Sequence, residues 1–410
     1  MIENSIYRII FFIFFRVTDK LLIAKQRFCE YYLNTMFYVA LRILLYDKIR
    51  SLFTLLGVIF AVGLIFNQAG IFLGLMETSS VIIDNTPGDI WITSKNSKNF
   101  DFSQPIPEYI RYQVAAEPGI EWAHRLIVGW GVIRQKQGGN EQLEIVGYDP
   151  DTGVGGPWDM VVGDRNAVKN GNFAIVDESA EKRLGKITVG EFRDVVSHRM
   201  QIVGICRGVK SFTTAPILFT SFDVARGLIP YMGTDSTVFV VAKTAPGVSV
   251  DKVVESLRAR IPSVDAYASD DFSYRTRRYW AVETGVGFSF FLTIVISFIV
   301  GMLIVGQTIY NSTMEHIKEF GTLKALGGTN LDIYRIIFFQ ALLNALLGYI
   351  ISLAITMASI PLYDAGGLAL VIRGWVNLTV LALTLFMCLM AAFVSIRRIR
   401  KIDPAILFRG

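Results

Sequence analysis

Residues 284–314 read TGVGFSFFLTIVISFIVGMLIVGQTIYNSTM, and residues 315–328 continue as EHIKEFGTLKALGG. The first stretch lacks Asp, Glu, Lys and Arg, and as an α-helix it is long enough to cross about 30 Å of hydrocarbon. The second stretch mixes charged and apolar residues at helical spacing and ends at a glycine pair. We therefore expect a membrane-spanning helix followed by a short helix at the membrane surface.

Three other uncharged stretches extend this prediction to four spans. The chain is apolar as a whole, with 52% hydrophobic residues and a mean hydropathy of +0.45, which is unusual for a soluble protein. A lipid-exposed backbone must form its own hydrogen bonds, so each span is expected to be helical. The spans are predicted at residues 51–76, 284–314, 336–363 and 374–396.

Basic residues beside the spans predict the orientation. Lys and Arg concentrate in residues 1–50 and 397–410, and such residues favour the cytoplasmic side of a membrane. Both termini are therefore predicted to be cytoplasmic, which places the loop 315–335 inside and residues 77–283 and 364–373 outside. The predicted fold class is accordingly a membrane protein with four transmembrane helices in a 1+3 arrangement.

The segment between helices 1 and 2 predicts a large α+β extracytoplasmic domain. Strands are expected at residues 89–93 and 264–267, a helix at 249–260, and a turn at Gly138–Asn140 between two further strands. A second strand-and-helix unit around residues 173–185 suggests two small subdomains. Helical continuity from the spans into the domain would give it two rigid stalks.

The first fifty residues predict amphipathic helices at the cytoplasmic membrane surface. Residues 7–16 form an aromatic run between arginines, and residues 35–50 combine apolar positions at helical spacing with basic ones. Such helices lie in the lipid interface, so membrane lipids are expected partners. Inside span 1, Asn67 and Gln68 form a polar pair that we expect to face another helix or a polar cavity.

The sequence offers no catalytic or nucleotide-binding constellation. A phosphate-binding loop needs the pattern G-x-x-x-x-G-K-[ST], and the nearest string, Leu184–Ile187, lacks its first glycine and its hydroxyl. His124, His198 and His316 fall on both sides of the predicted membrane, so they do not share a metal site. No cofactor is expected in this chain, and it is not expected to be an enzyme by itself. The net charge of +5 lies largely beside the spans, so no nucleic-acid partner is expected.

The loop between spans 2 and 3 is expected to hold a short capped helix. Its apolar residues recur on one side at helical spacing, and the pair Gly327–Gly328 ends it. Thr329, with Asp332 three residues later, predicts the N-cap of the next helix. Periodicity alone leaves two interpretations open, a plain hairpin connector and an element that transmits motion.

The string E-x-I-K-E-F-G-T-L-K-A-L-G at residues 315–327 resembles the cytoplasmic loop of FtsX-like ABC transporter permeases. That family includes MacB- and DevC-type exporters and lipoprotein-releasing permeases. Residues 40–52 before span 1 and residues 400–409 at the end resemble the same family, and residues 88–92 and 146–151 have the character of DevC-type permeases. With the 1+3 layout, the resemblance extends over essentially the whole chain.

The resemblance implies the permease subunit of an ABC transporter of the mechanotransmission type in the bacterial cytoplasmic (inner) membrane. A separate dimer of cytoplasmic ATPase subunits would bind ATP and Mg, and a second copy of the permease would complete the transporter. Such exporters often also use a periplasmic adaptor and an outer-membrane channel. Phe320 and Leu323 are then the expected apolar contacts to the ATPase. The expected coupling residues are Glu315, Lys318, Glu319, Phe320, Gly321, Leu323, Lys324, Leu326 and Gly327.

Two alternatives stay open under the same resemblance. A lipoprotein-releasing permease would need an apolar site at the outer leaflet, to which Phe72, Leu75 and Phe288 could contribute. An FtsX-type signalling scaffold would instead use the outer domain to activate a cell-wall hydrolase. Copurification with an adaptor, a lipoprotein or a hydrolase would distinguish these functions.

Overall fold

The computed structural model describes residues 36–46, 48–136, 138–211, 215–365 and 367–399. The aromatic run at the N-terminus and the family-like segment at the C-terminus, for which the sequence made predictions, lie outside these ranges. The chain divides into two compact units. One runs to Gln68 and includes Thr293–Ala358 and the chain from Ile372 onward; the other comprises Ala69–Leu292 and Ser359–Val371.

Within the described ranges, four helices are long and apolar enough to cross a membrane, as the four uncharged stretches predict. They cover Ser51–Thr78, Val286–Glu315, Asn330–Asp364 and Gly374–Arg397. The helices are α1 (Met36–Tyr46), α2 (Lys48–Thr78), α3 (Val81–Asn85), α4 (Ile110–Ala115), α5 (Glu181–Leu184), α6 (Phe222–Leu228), α7 (Val250–Arg260), α8 (Ser269–Arg278), α9 (Val286–Glu315), α10 (Ile317–Ala325), α11 (Asn330–Ala365) and α12 (Gly374–Ile399).

In the described residues, the large domain contains a ten-stranded sheet and a two-stranded sheet. The ten-stranded sheet has the order β12-β1-β11-β3-β4-β9-β6-β8-β5, with β7 paired to β3 and β8, and the two-stranded sheet pairs β10 with β2. The strands are β1 (Ile90–Ser94), β2 (Ile106–Pro107), β3 (Ile120–Arg134), β4 (Asn140–Tyr148), β5 (Asp159–Val162), β6 (Phe173–Asp177), β7 (Phe192–Val195), β8 (His198–Arg207), β9 (Ile217–Ser221), β10 (Ser236–Thr237), β11 (Phe239–Thr244) and β12 (Val264–Ala268). Most pairings are antiparallel, while β4–β9 and β6–β8 are parallel. The predicted α+β class is confirmed.

The long strand β3 makes the sheet continuous. Ile120–Leu126 pairs with β11, and Ile127–Arg134 pairs with β4. The two predicted subdomains therefore share one sheet. Both faces of this sheet are covered, because side chains alternate along a strand: on β1, Trp91 belongs to one apolar core, whereas Ile90 and Ile92 belong to another.

Helical continuity between the spans and the domain is the prediction that the structure overturns. Helix α2 ends at Thr78, and a turn separates it from α3. On the return path, α8 continues into a π-helical turn at Tyr279–Glu283, and Gly285, with φ of +76°, separates that turn from α9. A positive φ is easily adopted only by glycine and ends regular helix, so neither connection is one unbroken rod.

Candidate functional site

Helix α10 is a separate short helix between α9 and α11. His316, whose φ is −83° and ψ is 19°, breaks the regular helix after α9. At the other end Gly327 has φ of +98°, and the Gly328 amide donates to the Leu323 carbonyl at 2.9 Å. This is the pattern in which a left-handed glycine ends a helix and satisfies its last carbonyls. The predicted stop at the glycine pair is confirmed.

The start of α11 is fixed by the predicted cap. The amide and the hydroxyl of Thr329 both donate to Asp332 Oδ2, each at 2.8 Å. Asp332 is buried, and its Oδ1 lies 3.6 Å from Arg335 Nη1. A cap at this position begins α11 at Asn330, before the expected span boundary at 336, so the connection after α10 is short and well ordered by local hydrogen bonds.

Exposure differs among the expected ATPase contacts. Phe320 is only 7% exposed and packs within this chain, whereas Leu326, directly after α10, is 83% exposed. Helical periodicity identifies an apolar face, but it does not say which neighbour covers that face. Of the other predicted coupling residues, Gly321 and Leu323 are half-buried, and those that are exposed are Glu315, Lys318, Glu319, Lys324 and Gly327.

A groove lies between α1 and the start of α10. It has a volume of about 830 Å³ and is lined by Tyr38, Arg42, Tyr46, His316 and Glu319, among others. Arg42 Nε donates to the Tyr38 hydroxyl at 3.0 Å, and His316 Nδ1 is 3.5 Å from Glu319 Oε1. The charged surface of α10 therefore continues onto α1, a relation between distant segments that the sequence did not reveal.

The predicted polar pair in span 1 lies at half-buried positions of α2. Asn67 Oδ1 is buried and accepts no hydrogen bond from the described residues. Serines connect neighbouring helices: Ser352 Oγ donates to the Ile59 carbonyl at 2.9 Å, and Ser395 Oγ donates to the Gly306 carbonyl at 2.8 Å. Isolated serines in apolar helices were the signal that sequence reasoning missed.

The aromatic residues considered for a lipid site occupy different surroundings. The Phe72 ring packs against Phe290, with ring centroids 5.7 Å apart. Leu75 is half-buried, while Phe288 is 66% exposed. Phe72 and Leu75 are thus at least partly covered by other residues of this chain, whereas Phe288 is largely exposed.

A polar cluster joins the beginning and the end of the large domain. Asp84, on α3, accepts hydrogen bonds from Ser80 Oγ at 2.8 Å and from Ser273 Oγ at 2.7 Å. Arg277 Nη2 lies 2.5 Å from Asp84 Oδ2, and Arg277 Nε donates to Ser80 Oγ at 2.7 Å. The segment entering the domain is therefore bonded directly to α8, the segment leaving it.

The C-terminal end of α11 and the short loop after it also contact the large domain. The Val371 amide donates to the Gly70 carbonyl at 3.1 Å. Lys210 Nζ donates to the Asp364 carboxylate at 2.9 Å, and the Lys182 ammonium donates to the Asp364 carbonyl. This loop is part of the same compact unit as the domain.

Two family matches together cover most of the chain. Residues 51–260 match the MacB-like periplasmic core domain, and residues 291–404 match the FtsX-like permease C-terminal domain. These matches agree with an α+β domain inserted after the first of four apolar helices, with the remaining three at the end. The protein belongs to the FtsX-like, MacB-type family of ABC transporter permeases.

Two sequence relatives agree with this membership, and one solved structure is similar in part. An uncharacterized ABC transporter permease of Mycobacterium tuberculosis is 24% identical over 391 residues, which are 92% of this chain and 100% of that protein. The macrolide export ATP-binding/permease protein MacB of Photorhabdus laumondii is 24% identical over 95% of this chain and 62% of its own length. The solved periplasmic region of MacB from Actinobacillus actinomycetemcomitans aligns with 47% of this chain and 96% of its own, at 12% identity and a TM-score of 0.35.

The family establishes the role of the chain in general terms. The chain is the permease of an ABC transporter and not itself the ATPase. Membership of this family implies a partner subunit that binds ATP. Residues 51–260 include its MacB-type periplasmic core domain.

Proposed function

We propose that this permease works by mechanotransmission: ATP hydrolysis by a separate cytoplasmic ATPase moves α10, and the spans relay that movement to the periplasmic core domain for export. The observation that carries this proposal is α10 itself. It is a discrete helix, capped at its C-terminal end and followed directly by the cap of α11, and it presents charged side chains beside the exposed Leu326. An apolar side chain surrounded by charges is the usual composition of a contact centre between proteins.

The partners and the topology belong to the same proposal. Two ATPase subunits bind ATP and Mg in the cytoplasm, where both termini of this chain also lie, and a second copy of the permease completes the complex in the inner membrane. The Photorhabdus laumondii relative is a macrolide export protein, and this supports export as the direction of transport. A periplasmic adaptor and an outer-membrane channel complete the proposed path.

The contact assignment is tested by Leu326→Asp. We expect this variant to bind the ATPase subunit at least about tenfold more weakly and to lose permease-dependent ATPase stimulation, because it places a charge at the proposed centre of the interface. Leu362→Asp is the matched control, since Leu362 is 75% exposed but lies near the other end of α11. Binding and stimulation are measured on purified complexes in lipid nanodiscs. Unchanged binding and stimulation in Leu326→Asp would refute the assignment.

Export is distinguished from lipoprotein release and from signalling by the proteins that copurify with the tagged chain in mild detergent. Mass spectrometry is expected to find the ATPase together with a periplasmic adaptor. An ATPase accompanied by lipoproteins or by a cell-wall hydrolase, without an adaptor, would replace export by the corresponding alternative.

A further inference from the structure

Two carboxylic acids are buried together in the periplasmic core domain. Asp101 lies in the loop after β1 and is 8% exposed, and Glu144 lies on β4 and is 2% exposed. Both line one small cavity of about 10 Å³, which is room for about one water molecule. Two ionised carboxylates in such a cavity would destabilise the fold unless one of them takes up a proton. Burial disfavours the charged form of each acid, and a neighbouring carboxylate disfavours it further.

The hydrogen bonds of the pair are incomplete. Asp101 Oδ2 accepts from Trp280 Nε1 at 2.9 Å and from Asn99 Nδ2 at 3.3 Å. Glu144 Oε1 is buried and has no hydrogen-bond partner among the described residues. An ionised carboxylate normally accepts several hydrogen bonds, so this environment suits a protonated carboxyl group better than a charged one.

No cation neutralises the pair within the described residues that line the cavity. Lys210 lines it too, but its ammonium group donates to the Asp364 carboxylate at 2.9 Å. Burial raises the pKa of Glu144 and the Asp101 carboxylate raises it further, against the opposing effect of a hydrogen bond with the Ser211 side chain. Burial also raises the pKa of Asp101, against the opposing effect of the Trp280 hydrogen bond. Burial also raises the pKa of Tyr231, and the Glu144 carboxylate raises it further.

The pair lies where several segments that lead to the membrane spans meet. Thr78 and Ser79, at the end of α2, line the same cavity. Trp280, whose Nε1 donates to Asp101, lies in the π-helical turn before α9, and the Phe100 amide donates to Thr276 Oγ1 of α8 at 3.2 Å. Through Lys210, the cavity wall is also bonded to Asp364 at the C-terminal end of α11.

We propose that Asp101 and Glu144 form a proton-binding site that locks the base of the periplasmic core domain. While the pair holds a proton, the loop bearing Asp101 stays packed against β4 and Trp280. Loss of the proton leaves two negative charges in one small cavity, and their repulsion loosens the contacts of the loop with β4 and with the segment that precedes α9. The periplasmic pH would thereby set the stiffness of the segment that the transporter moves.

Linkage gives the sign of the pH effect. An unfolded Asp or Glu has a pKa near about 4. Because the folded values are raised, the folded protein binds more protons above that pH, and its stability falls as pH rises toward the folded pKa values. One proton of difference raises the unfolding equilibrium constant by up to about tenfold per pH unit.

The test uses the full chain in detergent between about pH 5 and about pH 9. Wild-type protein is expected to lose thermal stability with rising pH and to show, at neutral pH, the infrared carbonyl band of a buried protonated carboxyl. Glu144→Gln is expected to abolish that band and to flatten the pH dependence. Protection against hydrogen exchange in residues 99–104 and 276–280, corrected for the intrinsic base-catalysed exchange rate, is expected to fall with pH in the wild type and not in Glu144→Gln. Glu255→Gln, at an exposed position on α7, is the control and should behave as wild type.

The proposal can still be tested if Glu144→Gln does not fold. Asp101→Asn is the second variant, and it is expected to weaken the pH dependence because it leaves one buried acid. The infrared band is also measured on wild-type protein alone, where it must disappear as pH rises. A wild-type spectrum without a protonated carboxyl band at neutral pH, or protection factors in residues 99–104 that do not vary with pH, would overturn the proposal.

Discussion

At the scale of single residues, Asp84 is the side chain on which the polar cluster at the base of the periplasmic domain depends. It accepts hydrogen bonds from Ser80, Ser273 and Arg277, and so it joins α3 to α8. Hydrogen bonds to a charged group contribute more than neutral ones, and their loss leaves the remaining donors without an acceptor. Asp84→Ala is therefore expected to lower the free energy of unfolding by about 1–3 kcal/mol.

The control for Asp84→Ala is a solvent-exposed ion pair in the same domain. Lys98 Nζ is 2.8 Å from Glu283 Oε2, and the two side chains are 65% and 44% exposed. Solvent screens such exposed pairs, so Lys98→Ala should change stability little. Chemical unfolding of the full chain in detergent measures both variants, and equal losses would show that the Asp84 cluster is no stronger than a surface ion pair.

At the scale of elements, the close contact of α2 and α11 depends on Gly348. A Cβ atom at this position would lie 2.3 Å from Val58 Cγ1 and 2.8 Å from Val58 Cβ. Because Val58 Cβ is fixed to the α2 backbone, the two helices would have to separate. Small residues allow such close packing between membrane helices, where dispersion contacts drive association.

Gly348→Ala is accordingly expected to be destabilising, although alanine favours helix more than glycine does. Gly63→Ala in α2 controls for that preference, because a Cβ atom there would have nothing within 4 Å. The difference in unfolding free energy between the two variants should be about 1–3 kcal/mol, the usual cost of overpacking. Thermal unfolding in detergent measures it, and a stabilised Gly348→Ala would contradict the observed helix contact.

Elements defined by neighbouring residues could be predicted from the sequence. The uncharged stretches predicted the spans, the expected strand at 89–93 is β1, and the expected helix at 249–260 is α7. The Thr329–Asp332 cap was predictable for the same reason, since its hydrogen bonds join residues three positions apart. Each of these features follows from composition, period or capping within one short segment.

Features that depend on distant segments could not be predicted in the same way. Asp101 and Glu144 lie on different elements, and each alone looks like an ordinary solvated acid in the sequence. Phe320 was correctly placed on an apolar helix face, but its burial depends on tertiary neighbours. The stalk connections were predicted as continuous helix because the sequence around Gly285 does not show that this glycine adopts a positive φ.

At the scale of the whole molecule, α9 differs from the other spans in how much of it this chain covers. Only 17% of its most apolar window is buried, whereas the other three spans are 39–44% buried. Ile299 and Leu303, four residues apart on one helix face, are 44% and 61% exposed. The proposed second permease gives this face a partner, in agreement with the symmetric pairing typical of transporter subunits.

The pairing can be tested by cysteine crosslinking in native membranes. In a background from which the three native cysteines are removed, Leu303→Cys is expected to form a disulfide-linked dimer on oxidation, because the same face of each copy meets its partner across a two-fold axis. Ile350→Cys is the matched control, since Ile350 is 59% exposed but lies on α11. Gel mobility with and without reductant gives the yield. Efficient crosslinking of Ile350→Cys together with none at Leu303→Cys would move the interface from α9 to α11.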